Sequence, residues 1–117
     1  MSGEREQGVY PAMIARRAGL DGVEPSQYVG RVIRDAIRLG NPLVVEGDRF
    51  VVMGIDAMDG SFYPAGSSLD RQEAIDYAIK RQGMEKLFGD GPEDLFSVYT
   101  VEGVAVPLTP KPNPVQS

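Results

Sequence analysis

The chain has 117 residues, a length that fits one domain able to bury a core without staples, and its 42 % apolar and 25 % charged composition is that of an ordinary globular protein. It contains no cysteine and no histidine, which removes disulfides, thiolate nucleophiles, imidazole bases, histidine-dependent triads and ordinary zinc sites. The net charge of −5 is uneven, with seven Arg against eight Asp/Glu in residues 1–56 and five Lys/Arg against nine Asp/Glu in residues 57–117; an acidic whole argues against non-specific binding to nucleic acid or anionic membrane.

No apolar run approaches the roughly 18 residues that a membrane helix needs. The opening residues MSGEREQG lack the apolar region of a signal peptide, so a cytoplasmic protein is expected. Residues 1–9 are polar and read as a flexible N-terminus. Residues 10–18 form a short helix in this reading, with Pro11 in its first turn and Gly19 as its stop.

The strongest periodic signal follows. Pro25 begins a helix that runs to about Leu39, where Gly40-Asn41-Pro42 ends it. At 100° per residue Tyr28, Val29, Val32, Ile33, Ala36, Ile37 and Leu39 share one half of the wheel, and Arg31, Arg34 and Arg38 share the other. One face is expected in the core; the other is an arginine stripe.

Residues 43–63 carry the longest apolar run, Phe50-Val51-Val52-Met53-Gly54-Ile55, between the turn signals Gly47-Asp48 and Asp59-Gly60. Apolar runs separated by two turn residues predict hairpins, here a three-strand meander with residues 49–58 in the middle. The near-continuous apolarity of that middle strand predicts cover on both faces or a central place in the sheet. Residues 64–68 read as a loop. A second amphipathic helix spans about 70–82, capped by Asp70 with Glu73 in a capping box, stapled by Leu69, and ended by Gly83. Its expected apolar stripe is Ala74, Ile75, Ala78 and Ile79, with Asp76 and Lys80 as an i,i+4 pair. Residues 95–101 alternate as a strand, and Glu102-Gly103 turns it into a second hairpin with residues 104–108. The prolines at 107, 110, 112 and 114 make residues 109–117 a disordered tail.

This order predicts a single α+β domain over residues 10–108. Its antiparallel sheet has four to five strands, the meander plus the C-terminal hairpin, with two to three helices packed mainly on one face. Val45-Glu46-Gly47 and Val101-Glu102-Gly103 echo one another at the two expected turns. Three shared residues do not make a repeat, since this is a common way to write a strand turn.

Chemistry-bearing patterns are sparse. Asp56 and Asp59 flank a turn, and Asp90, Glu93 and Asp94 crowd a Gly/Pro loop, but their spacing is not that of a calcium loop, and Asp-Gly is what hairpin turns select for backbone reasons. Gly66-Ser67-Ser68 precedes a helix without the Gly-Lys-Ser/Thr of a nucleotide loop. No catalytic residue, cofactor site or metal site is assigned. The segment Ile14-Ala15-Arg16-Arg17-Ala18-Gly19-Leu20, the arginine-bearing helix after it, and a hairpin tipped by Gly47-Asp48-Arg49 resemble the latter part of a winged helix over residues 10–53. That resemblance implies DNA binding, with the second helix in the major groove and the hairpin as the wing. Residues 20–24 are longer than the usual tight turn, and residues 1–9 do not supply the leading helix.

By elimination the sequence points to a small non-enzymatic protein-interaction module, an adaptor, inhibitor or accessory subunit, with a DNA-binding protein as the alternative. The partner-binding residues expected are Arg31, Arg34, Arg38, Arg16, Arg17 and Arg49. The expected partner is another protein, ahead of nucleic acid, with no membrane, and a homodimer is compatible with the pattern. One continuous arginine face would favour DNA; interruption by carboxylates would favour a protein.

Overall fold

A computed structural model describes residues 8–88 and 91–109. Three helices and four strands follow in the order α1 (Ala12–Asp21), α2 (Pro25–Arg38), β1 (Phe50–Ile55), β2 (Phe62–Ser68), α3 (Arg71–Phe88), β3 (Leu95–Thr100) and β4 (Ala105–Val106). The strands form one antiparallel sheet in the order β2-β1-β3-β4, so the expected α+β architecture is present. The proline-rich tail from residue 110 onward, residues 1–7 and part of the acidic loop, Gly89-Asp90, lie outside the described residues.

Strand β1 is central, and its continuous apolarity has the expected cause. Val51 and Met53 enter one core with Ile14 of α1, Val29 and Ile33 of α2, Tyr99 and Ala105. Val52, one residue out of phase, enters a second core with Ala74, Ile75 and Ala78 of α3, Phe96, Val98 and Val106. Two helices therefore share one face and α3 covers the other, which leaves a β1 side chain no solvent-facing side. Gly54 fits the same strand for a different reason. A Cβ there would lie 2.5 Å from the ring of Tyr63, its cross-strand partner, so the glycine makes room for an aromatic ring lying across the sheet.

The expected first strand of the meander does not form. Asn41 turns the chain instead, its side-chain oxygen accepting from the Leu43 N–H at 2.8 Å and its carbonyl from the Val44 N–H at 3.2 Å. Only Val44 is buried, while Leu43 and Val45 face solvent. No hairpin has its tip at Gly47-Asp48, and the wing that the winged-helix resemblance requires is absent. The second neighbour of β1 comes from β3, which pairs with it from Phe50↔Thr100 to Ile55↔Leu95.

Residues 64–68, expected as a loop, belong to β2. Pro64 and Gly66 are tolerated there because β2 is an edge strand and the register shifts between Val52 and Met53, a bulge that takes up the extra residue. α1 runs past Gly19 to Asp21, and Gly22, at φ 72°, supplies the left-handed stop.

Helix α3 also outlasts its expected stop, continuing five residues beyond Gly83. Its last turns are tied to the start of β3. The Gln82 amide donates to the Asp94 carbonyl at 2.7 Å and accepts from the Phe96 N–H at 2.9 Å, and Glu85 accepts from the Asp94 N–H at 3.1 Å. These bonds outweigh a helical glycine's penalty of about 1 kcal/mol. The helix start is capped differently from the expected box. Asp70 accepts from the Glu73 N–H at 2.8 Å, but the Glu73 carboxylate takes the Ser68 hydroxyl, whose oxygen accepts from the Asp70 N–H. Leu69 is exposed and forms no staple. Among the described residues nothing lies within 4 Å of a Cβ built on Gly83, so Gly83→Ala is expected to raise stability by about 1 kcal/mol, measurable as a higher urea midpoint at unchanged slope.

The β3–β4 hairpin forms as expected, and its turn is pressed onto α2. A Cβ on Gly103, at φ 97°, would sit 2.1 Å from the Ser26 carbonyl oxygen, and one on Gly30 would sit 2.6 Å from the Glu102 carbonyl oxygen. The Tyr10 hydroxyl completes the joint, donating to the Gly103 carbonyl at 2.8 Å and accepting from the Ala105 N–H at 3.1 Å. Its ring stacks on Tyr99 at 6.0 Å. Tyr99 is buried with a hydroxyl that finds no hydrogen-bond partner among the described residues.

The two tyrosines should respond oppositely to loss of the hydroxyl. Tyr10→Phe is expected to cost about 1–2 kcal/mol, while Tyr99→Phe leaves stability unchanged or raises it. Burial pushes the Tyr99 phenol up from 10.0 to about 12. The folded chain thus holds that proton more tightly than the unfolded chain, so the contribution is complete below pH 10 and is lost as pH rises from about 10 to about 12. Tyr99→Phe should flatten that alkaline limb in a denaturation series.

Candidate interaction groove

The exposed face of α2 presents the three stripe arginines, and two of them meet acids. Arg31 pairs with Asp21 at the end of α1, 2.7 Å apart, and lies over the Tyr28 ring at 5.7 Å. Arg38 pairs with Asp35 at 3.1 Å. Each pair is exposed and worth at most about 1 kcal/mol. Arg34, between them, has no ion-pair partner among the described residues.

Arg34 instead borders a groove of about 450 Å³ that runs from α2 to the sheet end. α2 supplies Arg34 and Ile37, the connection into β1 supplies Gly47, Asp48 and Arg49, and the hairpin supplies Val101 and Glu102. Each wall is fixed by the fold. The Gly30–Gly103 backbone contact sets the hairpin against α2. Arg49 is held by its backbone, its N–H donating to the Ser68 carbonyl and its carbonyl accepting from the Val101 N–H, both at 3.1 Å. The connection before it hangs on one hydroxyl: Ser67 accepts from the Val45 N–H at 2.8 Å and donates to Asp48 at 2.7 Å. Asp48 is therefore partly engaged, whereas Arg34, Arg49 and Glu102 form no side-chain ion pair among the described residues.

The six expected arginines thus do not make one face. Arg34 and Arg49 come together; Arg31 and Arg38 are each paired; Arg16 lies on α1 beside Ala12 and Met13; Arg17 reaches towards Gly60 in the β1–β2 turn. Carboxylates interrupt the cationic surface at Asp21, Asp35, Asp48 and Glu102. Sequence reasoning missed Asp21, ten residues before Arg31, and it missed Glu102 as a neighbour of α2. The only signal for the latter was the repeated Val-Glu-Gly. Its first copy lies in a loop rather than a hairpin turn, yet Gly47 and Glu102 border the same groove.

The other acidic groups serve turns and joints. Asp56 accepts from the N–H groups of Met58 and Asp59 at 2.7 and 3.1 Å. Asp59 accepts from the Ser61 N–H at 2.9 Å, and that bond, with help from the Ser61 hydroxyl, holds its carboxyl below the usual range. Asp94 receives the Ala57 N–H at 3.0 Å and the Tyr63 hydroxyl. Burial first, then that carboxylate, push the Tyr63 phenol well up. Among the described residues no three Asp or Glu side chains are placed to hold a metal ion, and no helix is long and apolar enough to cross a membrane.

No protein-family model matches the chain, and neither the curated proteins nor the solved structures gave a match.

Proposed function

We propose that this chain is a small non-enzymatic, cytoplasmic protein-interaction module, and that it binds a protein partner through the Arg34–Arg49–Glu102 groove. The observation that carries this reading is the mixed character of the groove. Two arginines without ion-pair partners among the described residues stand beside an aliphatic floor, Ile37 and Val101, and beside the carboxylates of Glu102 and Asp48. An arginine fork suits a bidentate carboxylate, and an adjoining apolar floor suits a side chain next to it. A peptide segment offers both at once. A phosphate backbone offers anions alone, which leaves the apolar floor and the carboxylates of Glu102 and Asp48 unmatched, whereas a peptide can also bring a cationic side chain to them.

The alternative, DNA binding through α2, draws on the order of α1, α2 and the exposed arginines. It is weakened by the missing wing and by Asp21 and Asp35 on Arg31 and Arg38. Arg34→Glu/Arg49→Glu is expected to keep the thermal midpoint of the parent protein, since neither side chain is buried or ion-paired among the described residues. In affinity capture from nuclease-treated host extract, the double variant should lose a protein that the parent enriches. Equal capture by both proteins would sink the groove as the binding surface; capture of nucleic acid alone from untreated extract would favour the alternative.

A further inference from the structure

Helix α3 carries a second surface, on the opposite side of the sheet, that no other described residue covers. Ile79, Gly83 and Leu87 follow at i, i+4 and i+8, one row along the helix. Ile79 is 39 % exposed and Leu87 77 %. Ile79 and Gly83 open onto a groove of about 300 Å³ closed on its far side by Leu108, which is 41 % exposed. The rows on either side carry Lys80 and Lys86, two of the chain's three lysines. Neither has an ion-pair partner among the described residues, and Asp76, one turn before Lys80, is bonded instead to Gln72 at 3.0 Å.

Gly83 is the residue that the fold does not explain. It lies inside the helix, where glycine is unfavourable, and among the described residues no neighbouring atom comes within 4 Å of its missing Cβ. The packing of the described residues therefore gives no reason for a bare backbone there. A partner helix does, because the separation of two packed helices is set by the side chains at their crossing point, and a glycine lets the axes approach.

We infer that the Ile79–Gly83–Leu87 row docks an amphipathic helix of another protein, with apolar residues on its inner face and carboxylates along its flanks. The charge argues for the carboxylates: Lys80 and Lys86 border the row on both sides and would face the flanks of a helix laid along it. It also argues against a second copy of this chain. An antiparallel pair centred on Gly83 sets Ile79 of one copy against Leu87 of the other, but it brings Lys80 of both copies to one flank and Lys86 of both to the other. A parallel pair brings the Lys80 flank of one copy to the Lys86 flank of the other.

The test uses the full chain, isotope-labelled, with two synthetic amphipathic peptides of the same leucine face, one flanked by Glu and one by Lys. The Glu-flanked peptide is expected to shift the amide signals of residues 79–87 and 108, and to bind at least about tenfold more tightly than the Lys-flanked peptide. Gly83→Leu should keep the folded spectrum, because the site is open, and weaken binding by about tenfold or more; Lys80→Glu/Lys86→Glu should reverse the preference between peptides. No shift with either peptide, equal binding of both, parent-like binding by Gly83→Leu, or concentration-dependent dimerisation that Gly83→Leu abolishes would each overturn the proposal.

Discussion

Ile33→Ala is expected to lower the unfolding free energy by about 2–5 kcal/mol, while Ile79→Ala costs less than about 1 kcal/mol. The two isoleucines look alike on their helical wheels, and both were expected in the core. Ile33 is fully buried in the core that holds Ile14 of α1, Val51 and Met53 of β1, and Tyr99, so truncation removes contacts on every side and leaves a cavity. Ile79 lies at the rim of the α3 groove with 39 % of its surface exposed. The alanines Ala74 and Ala78, with Ile75, occupy the middle of the buried arc and bring α3 down onto Val52, Phe96 and Val98. Ile79 is carried to the flank. Urea unfolding of both variants at unchanged slope checks the difference; equal large losses would place Ile79 in the core after all.

Gly103→Ala is expected to be the other severe substitution, about 2–5 kcal/mol from two additive causes. A side chain at φ 97° is unfavourable by about 1–2 kcal/mol. Its Cβ, 2.1 Å from the Ser26 carbonyl oxygen and 2.5 Å from the Gly30 nitrogen, meets backbone that cannot rotate away, an overpacking cost of about 1–3 kcal/mol. The hairpin must then lift from α2, breaking the Tyr10 hydroxyl bridge. Gly47→Ala is the control. It has the same backbone sign at φ 99° but open space around it, so only the conformational cost should appear. Thermal midpoints of the pair separate strain from clash, and equal shifts would remove the hairpin–helix contact from the account.

These contrasts show where the sequence was legible. The period of residues 25–39 gave α2 within one residue, and the alternation over 95–101 with Glu102-Gly103 gave the second hairpin. The apolar run at 50–55 gave a central strand. Most of what failed depended on contacts distant in sequence. Leu43-Val44-Val45 has strand composition, but Asn41 and the Ser67 hydroxyl satisfy its N–H groups in a turn. Pro64 and Gly66 read as loop residues until an edge position and a bulge accommodate them. Gly83 reads as a stop unless the Gln82 and Glu85 bonds to the start of β3 are known. The groove was legible only in halves. Arg34 was singled out on the exposed stripe and Arg49 at the tip of a hairpin that does not form, but nothing in the linear pattern showed that the second hairpin brings Glu102 and Val101 beside them, or that Asp21 engages Arg31.

The most direct test of the groove as a protein-docking surface places a photo-reactive side chain at Glu102, which borders the groove and is exposed. After irradiation in the host, a covalent adduct with a distinct polypeptide is predicted, stable to nuclease and absent when Arg34→Glu/Arg49→Glu is introduced into the same chain. An adduct with nucleic acid alone, or a polypeptide adduct of equal yield with and without the two arginines, would contradict the account.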